Sequence, residues 1–469
     1  MTSASLFEGQ TLFFCGIGGS GMLPLALAAK ENGATVMGSD RSRDQGQSPE
    51  KFAELAAQGI ALFPQDGSGV TPDISALIIS SAVEPSIPDV AKALELKIKV
   101  RKRADLLADL FHHGKTSIGI AGTSGKTTVT GMIATLLKGA GLNPTVINGG
   151  RVKNLEEDAG NALPGNLLLG GNDVFVAEMD ESDGSIDLFT PDIAVLNNIA
   201  LDHKTPEELH DLFQTFVSKA QKGAVLNLDN AEVAALEHPK KSLTYAIENP
   251  KAYLYAHNIV LNRDSASFVL DGLAFHLQVP GKHNISNALA AIAVADFCGV
   301  SREKAAQALH GFTGIRRRLE RLGSQNGITV YDDFAHNPDK IAASLKALKG
   351  FKGRLIVLFQ PHGFAPLRIM GREMMESIAA SFDANDILMM PEVYYAGGTV
   401  DRSVTSAHVI DMAKQMGVDA RWFQTRSEAG DAILNEAQKG DRIVIMGARD
   451  DTLTLFARDI LQSLSQEAA

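Results

Sequence analysis

The chain has 469 residues, 45% hydrophobic and 21% charged, with a formal net charge of −11. Such a length supports two to four domains with large cores, and the acidic balance argues against a nucleic-acid binder, which needs clustered Lys and Arg against phosphates. The N-terminus lacks the basic-then-apolar pattern of a signal peptide, and no uncharged apolar run is long enough to span a bilayer, so a cytoplasmic protein with no membrane partner is expected.

Thr11 to Cys15 reads as a strand. Gly16-Ile-Gly-Gly-Ser-Gly21 follows, then a helix through Met22, Leu25, Leu27 and Ala28, and a second strand from Ala34 to Met37 that ends at Gly38-Ser39-Asp40. Glycines 16, 18 and 21 after a strand, with an acid about 20 residues on, form a dinucleotide-binding fingerprint. Alone it is compatible with NAD, with another nucleotide diphosphate, or with no ligand. Further strands are expected at Ala76 to Ser80 and Ile98 to Val100, which makes the first ~110 residues a small α/β unit. Cys15 and Cys298, the only cysteines, lie far apart in apolar segments and read as buried free thiols.

The stretch Ile118-Gly-Ile-Ala-Gly-Thr-Ser-Gly-Lys-Thr-Thr-Val129 is a second phosphate cradle. An apolar strand, Ile118 to Ala121, leads into Gly122, Thr123, Ser124, Gly125, Lys126, Thr127 and Thr128, and a helical pattern follows through Met132, Ile133 and Leu136. Backbone N–H groups and a helix N-terminus face an anion in such a layout. Lys126 reaches the β- and γ-phosphates, and the Thr127 hydroxyl sits where Mg²⁺ is held. The spacing differs from the ordinary Walker A motif, because position 120 is Ile and not Gly.

Beyond this loop, strands are expected at Asn143 to Asn148, Val174 to Glu178, Ile193 to Asn197 and Gly223 to Asn227. Short alternating runs between Tyr253 and Val279 suggest a few antiparallel strands, and helices follow over Asn284 to Phe297 and Arg302 to Leu309. A third unit begins near Gly327, with strands at Ile328 to Tyr331, Leu355 to Phe359, Asp386 to Met390 and Asp441 to Met446. Helices over Pro338 to Leu348 and Ser427 to Ala437 lie between them. The expected fold is α/β with three domains: a Rossmann-like domain over residues 1–110, a central P-loop-type ATPase domain over 111–323, and a Rossmann-like domain over 324–469.

These motifs in this order resemble the Mur ligases, ATP-dependent amide-forming enzymes that build the peptide stem of the bacterial cell wall. The resemblance rests on Ala121-Gly-Thr-Ser-Gly-Lys-Thr-Thr128, Glu178-Met-Asp-Glu-Ser-Asp183, Asp202-His203, Gly281-Lys-His-Asn-Ile-Ser-Asn287, Arg316-Arg-Arg318 and Asp332-Asp-Phe-Ala-His-Asn-Pro338. It covers nearly the whole chain. Gly16-Ile-Gly-Gly-Ser-Gly-Met22, Ile147-Asn-Gly-Gly150 and Phe359-Gln-Pro-His362 are most similar to the family branch that adds L-alanine to UDP-N-acetylmuramate. Tyr331-Asp-Asp-Phe-Ala-His336 is closer to the recycling branch, which adds a ready-made murein tripeptide.

The resemblance implies an amide ligase that activates a carboxylate as an acyl phosphate, with ATP and Mg²⁺ as cofactors and a monomer or homodimer as the assembly. It implies that Lys126 and the loop amides hold the triphosphate, that Thr127 and Glu178 hold one Mg²⁺, and that His203 ligates a second. Asn284 and Asn287 then meet adenine or support the loop, and Arg318 and Asp333 place the nucleotide. Gly16, Gly18, Gly19, Gly21, Asp40, Ser81 and Asn148 belong to the UDP-sugar side, and His336 and His362 to the incoming amine. Without the resemblance, Glu178, Asp180, Glu181 and Asp183 form an acidic cluster that a cation or basic partner relieves. Asn284 and Asn287 share one helix face.

Several positions depart from the family pattern. Ser124 stands where the family branches carry His, and Asp202-His-Lys-Thr205 replaces Asp-His-Met-Asp. In Gln360-Pro-His-Gly-Phe-Ala-Pro-Leu-Arg368, Gly363 and Pro366 occupy the places of arginines that pair with the amino-acid carboxylate in the alanine branch, and a guanidinium has no substitute there. No lysine matches the carbamylated lysine of several relatives; Lys219 is out of register. The loop Tyr394 to Thr399 reads equally as a wall of the acceptor pocket or as an ordinary glycine turn. An NAD-dependent oxidoreductase leaves the second phosphate loop unexplained, and a non-catalytic nucleotide-binding protein has no need of Lys126, Glu178, Arg318 and Asp333.

Overall fold

The computed structural model describes residues 5–81, 83–158, 164–181, 184–200, 206–394, 401–450 and 452–466. The chain divides into two compact units, Met1–Thr313 and Gly314–Ala469.

The first unit opens with strands Thr11–Cys15 (β1), Thr35–Ser39 (β2), Ala61–Phe63 (β3), Ala76–Ile79 (β4) and Lys99–Lys102 (β5). All pair in parallel, in the order β3-β2-β1-β4-β5, the doubly wound arrangement that the strand-helix alternation predicted. The order reverses beside β1, so the first glycine loop sits at the topological switch point.

A second sheet of the same unit contains Ser117–Ala121 (β6), Pro144–Ile147 (β7), Leu167–Leu168 (β8), Gly171–Glu178 (β9), Ile193–Leu196 (β10), Gly223–Asn227 (β11), Ser242–Ala246 (β12) and Leu254–Tyr255 (β13). Its order is β13-β12-β11-β10-β6-β9-β7-β8, parallel except where β8 turns back on β7. β6 and β10 are buried at every position, as continuous apolar runs covered on both faces must be. The helix Arg103–His113 joins the two sheets into one core. Its Phe111 meets Phe175 and Phe189 edge-on, with ring centroids 6.1 and 5.3 Å away. A three-stranded antiparallel sheet, His257–Leu261 (β14), Ala266–Leu270 (β15) and Leu273–Leu277 (β16), completes the unit. Asp271 and Gly272, at φ 51° and 80°, make the tight two-residue turn between its last two strands.

The second unit has strands Glu320–Gln325 (β17), Ile328–Asp333 (β18), Leu355–Phe359 (β19), Ile387–Pro391 (β20), Asp419–Phe423 (β21) and Arg442–Met446 (β22). Their order is β17-β18-β22-β19-β20-β21, parallel apart from the β17–β18 hairpin. The predicted strands of this unit are present within a residue or two of their expected ends. β17 and β21 and an 18-residue helix, Phe364–Ser381, were not expected. The Arg442 guanidinium lies under the sheet and donates to the carbonyls of Leu348, Phe351 and Gly353, which offsets the cost of burying its charge. No helix among the described residues is long and apolar enough to cross a membrane.

Candidate active site

The first glycine loop is held from behind by Asp40. Its Oδ2 accepts the Gly18 N–H at 2.8 Å and its Oδ1 accepts the Ser42 N–H at 2.8 Å, so this acid both closes the loop and caps the short helix that follows. Gly16 has φ 80°, a conformation open to glycine at little cost, and the Gly16 and Ile17 N–H groups donate to the Ser39 carbonyl. The helix Met22–Glu31 starts just past Gly21 with no side-chain cap, and its Met22 and Leu23 N–H groups donate to the Gly19 carbonyl at 3.0 and 2.9 Å. Two cations border the loop. Lys51 Nζ donates to the Gly18 carbonyl at 3.2 Å, and the Arg103 side chain would lie 3.4 Å from a Cβ at Gly21. Neither cation was legible in the motif. Ser81 stands exposed beyond the end of β4.

The second loop leaves β6 at Gly122 and enters the helix Lys126–Gly139 at Gly125, with φ 123° and 85°. Asn198 fixes its entrance: the Asn198 carbonyl accepts the Thr123 N–H, its side-chain oxygen accepts the Ser124 N–H, and its amide donates to the Ser124 carbonyl. Tyr245 and Asn227 hold Asn197 beside it. The N–H groups of Gly125, Lys126, Thr127 and Thr128 have no acceptor among the described residues, so an anion cradle is left open at the helix N-terminus.

Lys126 Nζ donates to the Gly122 carbonyl at 2.7 Å and to both oxygens of Glu181, at 3.0 and 2.7 Å. The two side chains keep only 18% and 9% of their exposure. Glu181 was legible only as one member of an acidic cluster; its place opposite Lys126 is set by the turn after β9. Glu178, at the end of β9, accepts the Thr127 hydroxyl at 3.2 Å and the Gly149 N–H at 2.7 Å. The Thr127 hydroxyl and the Glu178 carboxylate therefore converge as oxygen donors, the chemistry Mg²⁺ selects when phosphates complete its shell. His203 and Asp202 lie outside the described residues, as does Asp183. No group of three metal-ligating side chains occurs among the described residues.

Asn284 and Asn287 do share one face of the helix Lys282–Phe297. Asn284 donates to the Pro280 carbonyl at 2.7 Å, and Asn287 Oδ1 would lie 2.9 Å from a Cβ at Gly125. Asn287 thus packs against the loop backbone. Asn148 is buried and donates to the Thr127 carbonyl at 3.2 Å, while its own N–H donates to the Asn166 carbonyl. The Asn166 amide in turn donates to the Ser20 carbonyl at 2.9 Å. Three side-chain and backbone contacts therefore link the two glycine loops.

In the second unit, the remaining predicted residues gather at the carboxyl ends of β18, β22 and β19, where open parallel sheets bind ligands. Asp333 ends β18. Its Oδ1 accepts the Ala335 N–H at 3.3 Å, its Oδ2 makes no hydrogen bond among the described residues, and burial raises its pKa, against the nearby Ser344 and Arg318. The Arg317 and Arg318 guanidinium groups both lie over the Phe334 ring, 5.0 and 5.1 Å from its centroid. His336 and His362 stack edge to face at 5.1 Å. Burial drives them down to about 3 and about 4, with Lys340 adding to the first and Arg449 to the second. Both rings are neutral at physiological pH. His336 Nδ1 faces the Phe334 carbonyl at 2.8 Å, which assigns its proton there and leaves Nε2 as an acceptor.

Behind these rings, Asp450 accepts from Gln360 Nε2 and from Arg426, each at 2.7 Å, and so ties β19 to the loop after β22. Arg368 lies on the helix Phe364–Ser381 and pairs with Asp401 at 2.9 Å. Of the loop Tyr394–Thr399 only Tyr394 lies within the described residues; its N–H donates to the Pro361 carbonyl. No motif spacing in the sequence marks Asp450 or Arg449.

Comparison with known proteins places these observations in one frame. Family models match residues 11–115 (Mur ligase family, catalytic domain), 120–295 (Mur ligase middle domain) and 317–449 (Mur ligase, glutamate ligase domain). The chain is 34% identical to the UDP-N-acetylmuramate–L-alanine ligase of Streptomyces griseus over 459 residues, covering 94% of each chain. It is 36% identical to that of a Geobacter species, covering 94% of this chain and 95% of the relative. Among solved structures, the UDP-N-acetylmuramate–alanine ligase of Thermotoga maritima aligns with a TM-score of 0.78 at 25% identity, covering 98% of this chain and 100% of that one. A murein peptide ligase of Psychrobacter arcticus shares the fold, with a TM-score of 0.71 at 23% identity over 97% of this chain and 99% of that one.

Proposed function

The chain belongs to the Mur ligase family, and from that premise we propose that it joins L-alanine to the carboxylate of UDP-N-acetylmuramate, with ATP as the phosphoryl donor, in peptidoglycan precursor synthesis. The observation that carries this reading is the cradle at Gly122–Thr128. Its open N–H groups, its lysine and the converging Thr127 and Glu178 oxygens match a triphosphate with its cation and leave an NAD reading without a use for them.

A carboxylate and an amine do not condense at neutral pH. A carboxylate oxygen first attacks the γ-phosphorus, the bond to the β–γ bridging oxygen breaks, and ADP leaves. The amine nitrogen then attacks the acyl carbon, inorganic phosphate departs with one former carboxylate oxygen, and the nitrogen gives up a proton. In the first step two anions meet, so positioned positive charge supplies most of the help. Lys126 exchanges Glu181 for phosphate oxygens, and the amides of Gly125 to Thr128 hold the same group. Mg²⁺, held by Thr127 and Glu178, neutralises charge on the phosphates when bound. In the second unit, His336 Nε2 accepts an N–H of the amine, and Arg318 and Asp333 place the nucleotide. Asp40 and Gly16 to Gly21 shape the UDP-sugar side, with Lys51 and Arg103 as its cations.

A murein tripeptide is the second reading for the amine, because Tyr331 to His336 is similar to the recycling branch and the expected arginines after His362 are missing. Phosphate release from ATP, measured with UDP-N-acetylmuramate across single amino acids and stem peptides, separates the two. Release with L-alanine supports the first reading, release only with the tripeptide supports the second, and no release with any amine refutes both.

A further inference from the structure

We propose that Arg449 binds the α-carboxylate of the incoming amino acid, an assignment that rests on the ligase reading above. A small amino acid offers an enzyme little to grip besides its ammonium and its carboxylate, and a guanidinium is the side chain whose geometry matches the latter. The segment after His362 supplies none. Gly363 and Pro366 carry no charge, and Arg368 pairs with Asp401.

Arg449 has the backbone of a residue held for a purpose. Its φ is 63°, in the left-handed region that non-glycine residues seldom occupy, and such outliers persist where flanking structure fixes them. Both flanks are fixed here. On one side the Gly447 N–H donates to the Asp333 carbonyl at 3.1 Å, and the Gly447 carbonyl accepts from Arg317 at 2.8 Å. On the other, Asp450 is held by Gln360, Arg426 and Thr452. A rigid frame therefore points Arg449 outward from the carboxyl end of β22, between the strand ends that carry His336 and His362.

Its side chain is exposed and makes no hydrogen bond or ion pair among the described residues. Four other arginines of this unit are engaged: Arg354 with Asp441, Arg421 with Asp419 and Glu436, Arg426 with Asp450, and Arg442 with three carbonyls. The charged groups around His336 and His362 are Arg318, Lys340 and Arg449, and the adjacent acid, Asp450, already has its partners. Arg449 thus brings an uncommitted guanidinium to the two rings assigned to the amine.

The test compares wild type, Arg449→Gly and Arg449→Lys with L-alanine and L-alaninamide, which lacks the carboxylate. Wild type is expected to favour L-alanine. Glycine accepts φ 63° without strain, so R449G should melt at the same temperature or higher. Its KM for L-alanine should nonetheless rise about tenfold to a hundredfold, the loss expected of a charge-assisted contact. KM for ATP and UDP-N-acetylmuramate and turnover of L-alaninamide should hold, so that discrimination collapses, with R449K intermediate. Unchanged preference for L-alanine in R449G overturns the assignment alone, and so does a lowered melting temperature with uniform loss toward every substrate. Wild type without turnover on any amino acid overturns the L-alanine reading together with it.

Discussion

Glu181→Gln tests whether Lys126 is kept in reserve by an internal counter-ion. Glu181 meets Lys126 Nζ at 2.7 and 3.0 Å, with both side chains largely out of water. Hydrogen bonds between charged groups of this kind contribute about 1.5–3 kcal/mol each in place of water. ATP has to displace these contacts before its phosphates reach the lysine. Glutamine keeps the shape and one acceptor but removes the charge, so roughly 1.4 kcal/mol of competition disappears, and ATP binds about tenfold more tightly. The free protein loses a partly buried ion pair and should melt about 2–5 °C lower. Calorimetric titration with Mg²⁺-ATP beside a thermal melt reads both quantities. ATP binding that weakens severalfold in E181Q, with or without a change in melting, would refute the counter-ion account and make Glu181 part of the nucleotide site.

Other consequences follow from individual contacts. Gly125→Ala puts a Cβ 2.9 Å from Asn287 Oδ1 at φ 85°, and strain of that kind costs about 1–3 kcal/mol; chemical denaturation should show the loss, and ATP affinity should fall with it. His336 and His362 have folded pKa values of about 3 and about 4, below the ordinary 6.5. The unfolded chain therefore binds more protons, so stability is full above pH 6.5 and falls as the pH drops toward 4. A denaturation series over that range should show a shallower slope in His336→Gln. Burial raises Cys15 to about 12 and Cys298 to about 11, so neither should react with iodoacetamide at pH 8 in the folded protein, whereas both should after unfolding. Rapid labelling of either native thiol would contradict the packing around it.

What the sequence disclosed follows from how each feature is encoded. Strands such as β6, β10, β19 and β22 are covered on both faces, so they are buried at every position and, but for Ser117 and Arg442 at their starts, read as apolar runs that announce themselves. β17 reads Glu-Arg-Leu-Gly-Ser-Gln, an edge strand whose polar residues hide it; the Asn326-Gly327 turn was its one local signal. The helix Phe364–Ser381 was obscured by Gly363 and Pro366, which mark a helix start as readily as a loop. Cys298 proved only partly buried, because it caps the end of a helix instead of lying inside one. Motif residues such as Lys126, Thr127 and Glu178 were legible because spacing along one loop fixes them. Glu181, Asn198 and Arg449 act through partners or a backbone angle set by tertiary packing, and no spacing rule reports those.

The central claim is that the carboxylate is activated by phosphoryl transfer from ATP. UDP-N-acetylmuramate labelled with ¹⁸O in its carboxylate, incubated with ATP, Mg²⁺ and L-alanine, tests it most directly. An acyl phosphate requires that one labelled oxygen leave with phosphate, so mass spectrometry should find ¹⁸O in the released phosphate in proportion to amide formed. Amide formation with unlabelled phosphate, or phosphate release with no amide and no label transfer, would contradict the account.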